Sequence, residues 1–240
     1  MRPLLVILGL RGSGRGVVAQ ELAANGWAEG KRIRTYREAR EAAPGAADTW
    51  SFADGVATLP GPGDAEAGIL VTHGALSAVD QMEALHRALP ASGWQVQRIV
   101  TVVDCPLAAR HPDVVRWLEP CVHFADVVVL NRRWEVPGQW VSKFLEPYEA
   151  DFYPCLFVNL LKNGTLSNPA MIIEGEPLRR THIFDDIDPV DEMEFDEDDL
   201  PDEPFDLVRQ PDRYFARDEL GRRVLTVPDL GEILRREQRS

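Results

Sequence analysis

Four closely spaced glycines near the N-terminus are the feature of this sequence best suited to chemistry. Gly9, Gly12, Gly14 and Gly16 follow the apolar run at residues 4–8 and precede a segment of helical length. A glycine-rich turn between a strand and a helix leaves backbone N–H groups unpaired, and it directs the positive end of the helix dipole toward the same point. The pattern therefore predicts a phosphate-binding loop; the alternative is a glycine-rich turn that holds no ligand.

This loop matches a known nucleotide-binding pattern only in its first part. The spacing Gly9-x4-Gly14 agrees with GxxxxGKS/T, but Arg15 stands at the Lys position and Gly16 at the hydroxyl position. A planar guanidinium is not equivalent to the compact ammonium that reaches the β- and γ-phosphates, and glycine offers no hydroxyl to Mg²⁺. We expect GTP or ATP as ligand, bound weakly, with Mg²⁺ lacking its usual Ser or Thr ligand. The predicted phosphate-binding residues are Gly9, Gly12, Ser13, Gly14, Arg15 and Gly16.

The same glycines also permit a second interpretation, the GxxGxG loop of a dinucleotide-binding fold. Arg32, Arg34 and Arg37 follow near the expected second strand, where basic residues favour the 2′-phosphate of NADP. A reductase would need a proton-relay pair such as Tyr-x-x-x-Lys, but Gln139 precedes Lys143 at that spacing. An NADP-binding protein therefore stays as an alternative.

Two polar residues stand where apolar runs end. In a parallel sheet these positions share the carboxyl edge, which is where ligands bind in open α/β folds. Asp104 is the first catalytic candidate and would hold Mg²⁺ through water if a nucleotide is bound, or else it caps the turn before Pro106. His73 is the second catalytic candidate, as a base or a phosphate contact, or else it is a turn histidine before Gly74.

The elements that must position these residues alternate along the chain. Such alternation of buried runs and helical segments predicts an α/β protein with a mainly parallel sheet. Strands are predicted at residues 4–8, 68–72, 98–104, 126–131 and 155–160, helices at 16–24, 77–89, 113–118 and 140–148, and a loop at 43–63.

Four segments in this order carry a family resemblance. GLRGSGRG at residues 9–16, ILVTHGALSA at 69–78, RIVTVVDC at 98–105 and ADVVVLNRRW at 125–134 resemble the loop, switch strand, VVTVVDA strand and guanine motif of the CobW family of P-loop GTPases. The resemblance covers residues 3–166. It implies a three-layer P-loop NTPase-like fold and GTP binding in a protein associated with cobalamin synthesis or metal delivery.

The departures from that family fall on functional positions. In the guanine motif Asn131 is kept, whereas Trp134 replaces the Asp that would recognise guanine and would instead stack on a base. Val71 replaces the switch Glu, and the family's CxCC metal motif is missing. We therefore expect a degenerate GTPase that acts as a binding or regulatory module. The alternative is an active NTP hydrolase or phosphotransferase in which Arg15 replaces the Lys.

Acidic residues are concentrated near the C-terminus. The formal net charge is -13, and the stretch 185–206 alone holds 13 Asp and Glu without a Lys or Arg. We expect a P-loop NTPase-like domain at residues 1–180, followed at 181–240 by an acidic, proline-containing extension with a terminal helix near 227–237. The extension is interpreted as a solvated linker or as a surface for a basic protein partner, which would make the chain an interaction protein.

Composition sets the remaining expectations. Hydrophobic residues make up 45% and charged residues 27% of the chain, and no apolar run is long enough to span a membrane, so membrane insertion is not expected. The excess of acidic residues argues against nucleic-acid binding. Three cysteines without CxxC spacing predict a reducing, cytoplasmic compartment. Cys105, Cys121 and His123 do not complete a zinc spacing, so we expect no metal site, with His123 at the surface after a turn at Pro120.

Overall fold

An eight-stranded sheet, parallel except for one hairpin at its edge, forms the middle of three layers. The computed structural model describes residues 1–185, 212–231 and 234–235. The strand order is β4-β3-β2-β5-β1-β6-β7-β8, and only β3 and β4 pair antiparallel. The strands are β1 (Arg2–Gly9), β2 (Ile33–Glu38), β3 (Thr49–Ala53), β4 (Val56–Thr58), β5 (Ala67–Val71), β6 (Trp94–Asp104), β7 (Val127–Asn131) and β8 (Leu156–Asn159).

Helices cover both faces of this sheet. They are α1 (Arg15–Asn25), α2 (Ala78–Ala88), α3 (Cys105–Arg110), α4 (Pro112–Phe124), α5 (Gly138–Ala150) and α6 (Pro169–Ile173). The predicted α/β class, with a mainly parallel sheet between two helical layers, is confirmed. All five apolar runs predicted as strands are strands, and each of the four predicted helices lies within an observed helix or differs from it by one residue at each end.

The central strand β1 shows why its sequence is apolar throughout. Leu4, Val6 and Leu8 belong to the apolar cluster beneath α2 and α4, whereas Leu5 and Ile7 belong to the cluster beneath α1 and α6. Successive side chains of a strand point to opposite faces, and both faces are covered here. This burial fixes the strand whose carboxyl end carries the glycine loop.

The predicted loop at residues 43–63 is wrong, because the structure forms a hairpin there. Trp50 and Phe52 on β3 are buried, which gives the strand an alternating pattern. Asp54 and Gly55, with φ of 50° and 74°, make the turn to β4, and Asp-Gly is a favoured pair for such two-residue hairpins. The abundance of Ala, Gly and Pro around it concealed this short pattern.

The turn expected at Pro120 is also wrong. Pro120 lies within α4, which continues to Phe124 and places His123 in the interior, 5% exposed, rather than at the surface. The apolar residues of this helix, such as Trp117 and Val122, bury one face against the sheet, and this packing keeps the helix continuous through the proline.

Described residues after 211 pack on the α/β layers. Tyr214, Leu230 and Leu234 belong to the same apolar cluster as α2 and α4, and Arg223 pairs with Asp80 of α2 at 2.6 Å. Residues 231, 234 and 235 are helical, within the predicted terminal helix. Nearly all of the acidic stretch lies outside the described residues, and the division at residue 180 stays a prediction. No helix in the described ranges is both long and apolar enough to cross a membrane.

Candidate functional site

The glycine loop joins β1 to α1 in a conformation that other residues rarely adopt. Gly9, Gly12 and Gly14 have φ of 137°, 84° and 96°. A Cβ on Gly9 would lie 2.5 Å from the carbonyl oxygen of Val102. The backbone conformation of this loop therefore requires glycine at these positions. The loop lies at the carboxyl edge of the sheet.

Asn131, at the end of β7, holds this loop. Its side-chain nitrogen Nδ2 donates to the carbonyl oxygen of Ser13 at 2.9 Å, and the same atom would lie 2.5 Å from a Cβ on Gly14. The structure thus brings Asn131 together with the six predicted loop residues. Ser13 itself is buried, and its hydroxyl has no hydrogen-bond partner among the described residues.

Arg15 turns inward from the loop instead of extending along it. The guanidinium donates from Nε to the carbonyl oxygen of Leu10 at 3.2 Å, from Nη1 to that of Thr72, and from Nη2 to Oε2 of Glu41 at 2.9 Å. Arg15 is 7% exposed, and this burial lowers its pKa although the Glu41 charge opposes the shift. The side chain of Arg15, which replaces the usual Lys, is therefore bound by other residues of the protein and is largely buried.

Glu41 is a site residue that the sequence patterns did not indicate. It lies between β2 and β3, and its carboxylate accepts from Arg11 Nε at 3.0 Å, from Arg15 and from the Gly74 N–H at 3.2 Å. Burial alone would raise the pKa of Glu41, but Arg15 and Arg11 outweigh it and hold the pKa below its ordinary value. A single internal carboxylate therefore pairs with two arginines beside the loop.

A cavity of about 560 Å³ opens over the loop. It is lined by Gly12, Gly14 and Gly16 and by a set of charged side chains. These are Arg11, Arg15, Arg37, Arg40, Glu38 and Glu41. A larger cavity of about 820 Å³ lies at the amino ends of β1 and β6, away from the loop. Because ligands of open α/β sheets bind at carboxyl ends, the smaller cavity is the candidate site.

Asp104 caps a helix in the structure. Its Oδ1 accepts from the Leu107 N–H at 3.1 Å at the start of α3, and its Oδ2 pairs with Arg132. Both carboxylate oxygens are therefore engaged within the protein. Gly16 meanwhile supplies no hydroxyl, so the residues present do not fit the Mg²⁺ ion that a P-loop fold implies.

His73 lies in the turn that follows β5. Its ring nitrogen Nδ1 accepts from the Ala75 N–H at 3.1 Å, and its own N–H and carbonyl are both bound by the Gln81 side chain. Burial chiefly lowers the pKa of His73, with the nearby Glu41 charge opposing. The histidine is close to the loop, but its ring is used in the turn.

Trp134 is placed beyond the end of β7, in a short 3-10 turn. The residue is 41% exposed, and the ammonium of Lys162 lies 5.6 Å from the ring centroid. The ring is therefore available for stacking at the same edge of the sheet as Asn131. Arg132, two residues before Trp134, adopts φ of 54° and is held by Asp104.

Solved structures with a similar fold include two of YjiA GTPase, while no protein-family model and no curated protein matches this chain. The fold resembles that of YjiA GTPase. The Zn(II)-bound YjiA GTPase from E. coli is 13% identical with a TM-score of 0.43, over 73% of this chain and 66% of that one. A Zn(II)-bound triple mutant of YjiA GTPase is 12% identical with a TM-score of 0.43, over 74% and 64%.

This likeness is confined to the fold. YjiA is a protein of the CobW family, which the sequence resembles. The chain spans slightly less than two thirds of either YjiA structure, 64% and 66%. The strand order and the glycine loop of the chain itself define its fold.

The strand order also bears on the dinucleotide-binding interpretation. In the classic dinucleotide fold the first strand pairs with the second. Here β1 lies between β5 and β6, and β5 separates it from β2. The order therefore does not favour NADP binding.

The cysteine and histidine candidates are not brought together. The described residues contain no group of three His, Cys, Asp or Glu side chains arranged to hold a metal ion. Burial raises the pKa of Cys105 to about 12 and that of Cys155 to about 11, and it raises the pKa of Cys121 as well. His123 instead lies 2.7 Å from the carboxylate of Asp212.

Proposed function

We propose that this chain binds a nucleotide, GTP or ATP, through the loop at residues 9–16, and hydrolyses it weakly or not at all. One observation carries the proposal. Among the described residues, no acceptor lies within hydrogen-bond distance of the backbone N–H groups of Gly12, Gly14, Arg15 and Gly16. Unpaired N–H groups at a helix N-terminus that borders a cavity are the donors that hold phosphates.

The charges around the cavity support an anionic ligand. Four of the lining residues are arginines, and only two carboxylates, Glu38 and Glu41, face them. The guanidinium groups add long-range attraction to the N–H donors of the loop. A phosphate chain therefore suits this cavity better than a neutral ligand does.

The contacts of Arg15 and Asp104 support the proposal of weak hydrolysis. The Arg15 guanidinium is bound to Leu10, Thr72 and Glu41, so it does not extend to a terminal phosphate without breaking these contacts. Asp104 is engaged by Leu107 and Arg132. A slow or absent turnover fits a binding or regulatory module.

The base of the nucleotide would lie near Trp134. The exposed indole and the Lys162 ammonium stand at the carboxyl edge, where a base would extend beyond the loop. Stacking on an aromatic face favours no particular base. We propose base stacking without guanine selectivity, because Trp134 has no carboxylate to accept hydrogen bonds from guanine.

Calorimetric titration with GTP, GDP, ATP and ADP tests the proposal, with Gly14→Ala as the variant. An added Cβ would meet Asn131 at 2.5 Å and strain a φ of 96°, so binding should be lost. Gly30→Ala is the matched control, because Gly30 has φ of 81° with nothing within 4 Å and lies outside the loop. Absence of binding to the unaltered protein at millimolar nucleotide would reject the proposal.

A phosphate-release assay separates binding from turnover. We expect no sustained release from the unaltered protein with nucleotide in excess. Steady release that disappears in Asp104→Ala would instead support the active-hydrolase alternative. A basic protein partner for residues 185–206 stays a prediction, because nearly all of that segment lies outside the described residues.

A further inference from the structure

The guanidinium group of Arg37, on β2, lies beside Gly16, where the loop has no side chain. A Cβ built on Gly16 would be 3.0 Å from Nη2 of Arg37 and 3.3 Å from Nη1. In the GxxxxGKS/T pattern this position carries the hydroxyl that binds Mg²⁺. A fixed positive charge thus stands beside the place where a metal ligand would be.

This guanidinium differs from the other arginines around the cavity in having no counter-ion within the described ranges. Arg11 and Arg15 pair with Glu41, and Arg40 pairs with Glu38 at 3.0 Å. Arg37 is half-buried, and no described carboxylate lies within ion-pair distance of it. Its charge is therefore available to a ligand in the cavity.

A divalent cation does not fit beside this charge. Gly16 supplies no hydroxyl, and both Asp104 oxygens are already engaged. Two positive groups at close range repel each other, more strongly next to a low-dielectric wall than in water. The site therefore offers a cation to a phosphate and lacks the oxygen ligands that Mg²⁺ needs.

We propose that the loop binds a nucleoside di- or triphosphate as the metal-free anion, with the Arg37 guanidinium in place of Mg²⁺. The inference rests on the proposed nucleotide binding and specifies the form of the ligand. Arg37 supplies fixed N–H donors that match phosphate oxygens in pairs, while the loop N–H groups bind from the other side. No bond is made or broken in this step.

Calorimetry with ATP and GTP, each in EDTA and in excess MgCl₂, tests the inference on the full chain. We expect binding in EDTA that Mg²⁺ does not strengthen. Arg37→Gln should weaken binding in EDTA by about tenfold or more, as expected for loss of a charge-assisted hydrogen bond. Binding that requires Mg²⁺, or an unchanged affinity in Arg37→Gln, would overturn the inference.

Arg34→Gln is the matched control. It removes the same charge from the same strand, but Arg34 pairs with Asp64 at 2.7 Å and does not line the cavity. Its affinity for ATP should stay within about twofold of the unaltered protein. An equal loss in both variants would show a general charge effect and would count against a specific role of Arg37.

A double variant tests whether dependence on Mg²⁺ can be restored. Gly16→Ser together with Arg37→Gln restores a hydroxyl and removes the competing cation, and Gly16 does not have the positive φ that would disfavour serine. We expect nucleotide binding by this variant to become stronger with Mg²⁺. A complete lack of nucleotide binding by the unaltered protein, with and without Mg²⁺, would reject the proposed function itself, whereas Mg²⁺-dependent binding would reject only this inference.

Discussion

Glu41 and Arg15 form an ion pair of 2.9 Å that attaches the β2–β3 connection to the glycine loop. The glutamate side chain is 13% exposed and the arginine side chain 7%, so the pair is largely shielded from solvent. It also binds the turn after β5, because Glu41 accepts from the Gly74 N–H. Three segments at the carboxyl edge of the sheet therefore meet at one carboxylate.

Replacing Glu41 by Gln should strengthen anion binding and weaken the fold. The change leaves the Arg11 and Arg15 charges uncompensated, so we expect several-fold tighter binding of ATP and inorganic pyrophosphate by calorimetry. The free energy of unfolding, from urea denaturation, should fall by about 1–3 kcal/mol because buried donors lose a charged acceptor. Glu66→Gln is the control, since Glu66 pairs with exposed Arg32 at 3.5 Å. Weaker anion binding in Glu41→Gln would contradict this account.

Replacing Asn131 by Ala should loosen the loop. The amide contact with the Ser13 carbonyl is lost, which removes one hydrogen bond worth about 1 kcal/mol. We expect faster hydrogen exchange at the backbone amides of residues 12–16 and weaker nucleotide binding. Asn163→Ala changes an exposed asparagine beyond β8 and should leave both unchanged. Unaltered exchange at the loop in Asn131→Ala would show that Asn131 does not hold it.

Replacing Trp134 by Ala should reduce affinity for nucleotides but not for pyrophosphate. An exposed indole contributes only through the base, and base stacking on an aromatic ring is worth about 1–3 kcal/mol. Titration with ATP, GTP and pyrophosphate separates the two parts of the ligand. A parallel loss for pyrophosphate would place the effect of Trp134 on the loop and not on a base.

Stability should depend on pH through Asp212, which attaches the C-terminal residues to α4. Burial alone would raise the pKa of Asp212, but hydrogen bonds from His123 and Thr181 outweigh it and hold the pKa below its ordinary value of 3.8. Folding therefore gains stability from ionised Asp212 above that value, and the gain is lost as pH falls through the lower pKa of the folded state. The unfolding free energies of the unaltered protein and of Asp212→Asn should converge as the solution is acidified below pH 3.8.

Asp113→Asn is the comparison for that measurement. Asp113 forms an exposed pair with Arg116 at 3.3 Å, for which little stability is expected at any pH. Its unfolding free energy should follow that of the unaltered protein. A difference between Asp212→Asn and the unaltered protein that does not change with pH would remove Asp212 as the cause.

Sequence patterns predicted the buried central strands but not the hairpin at the edge of the sheet. β1, β5, β7 and the second half of β6 are buried on both faces, so each is a mainly apolar run that can be recognised without tertiary information. β3 and β4 have alternating residues in five-residue and three-residue strands, and this short pattern does not stand out from an Ala- and Pro-rich segment. The hairpin was therefore missed.

Some residues of the candidate site could likewise be predicted from the sequence, and others could not. The glycines and Asn131 could be identified because backbone conformation and motif spacing constrain them in sequence. Glu41 and Arg37 belong to no motif; Arg37 reaches Gly16, and Glu41 reaches Gly74, only because β2 pairs with β5 in the folded sheet. His123 was misplaced because α4 continues through Pro120, and its partner Asp212 is 89 residues away in sequence.

The Glu41 carboxylate lowers the positive charge that the cavity presents to an anion. Glu41 stays paired with Arg11 and Arg15, so it already offsets one of their two positive charges before a ligand enters. The net charge at the cavity is then smaller than the number of arginines suggests. Affinity should accordingly vary less with ionic strength than at a cavity whose arginines have no carboxylate partner.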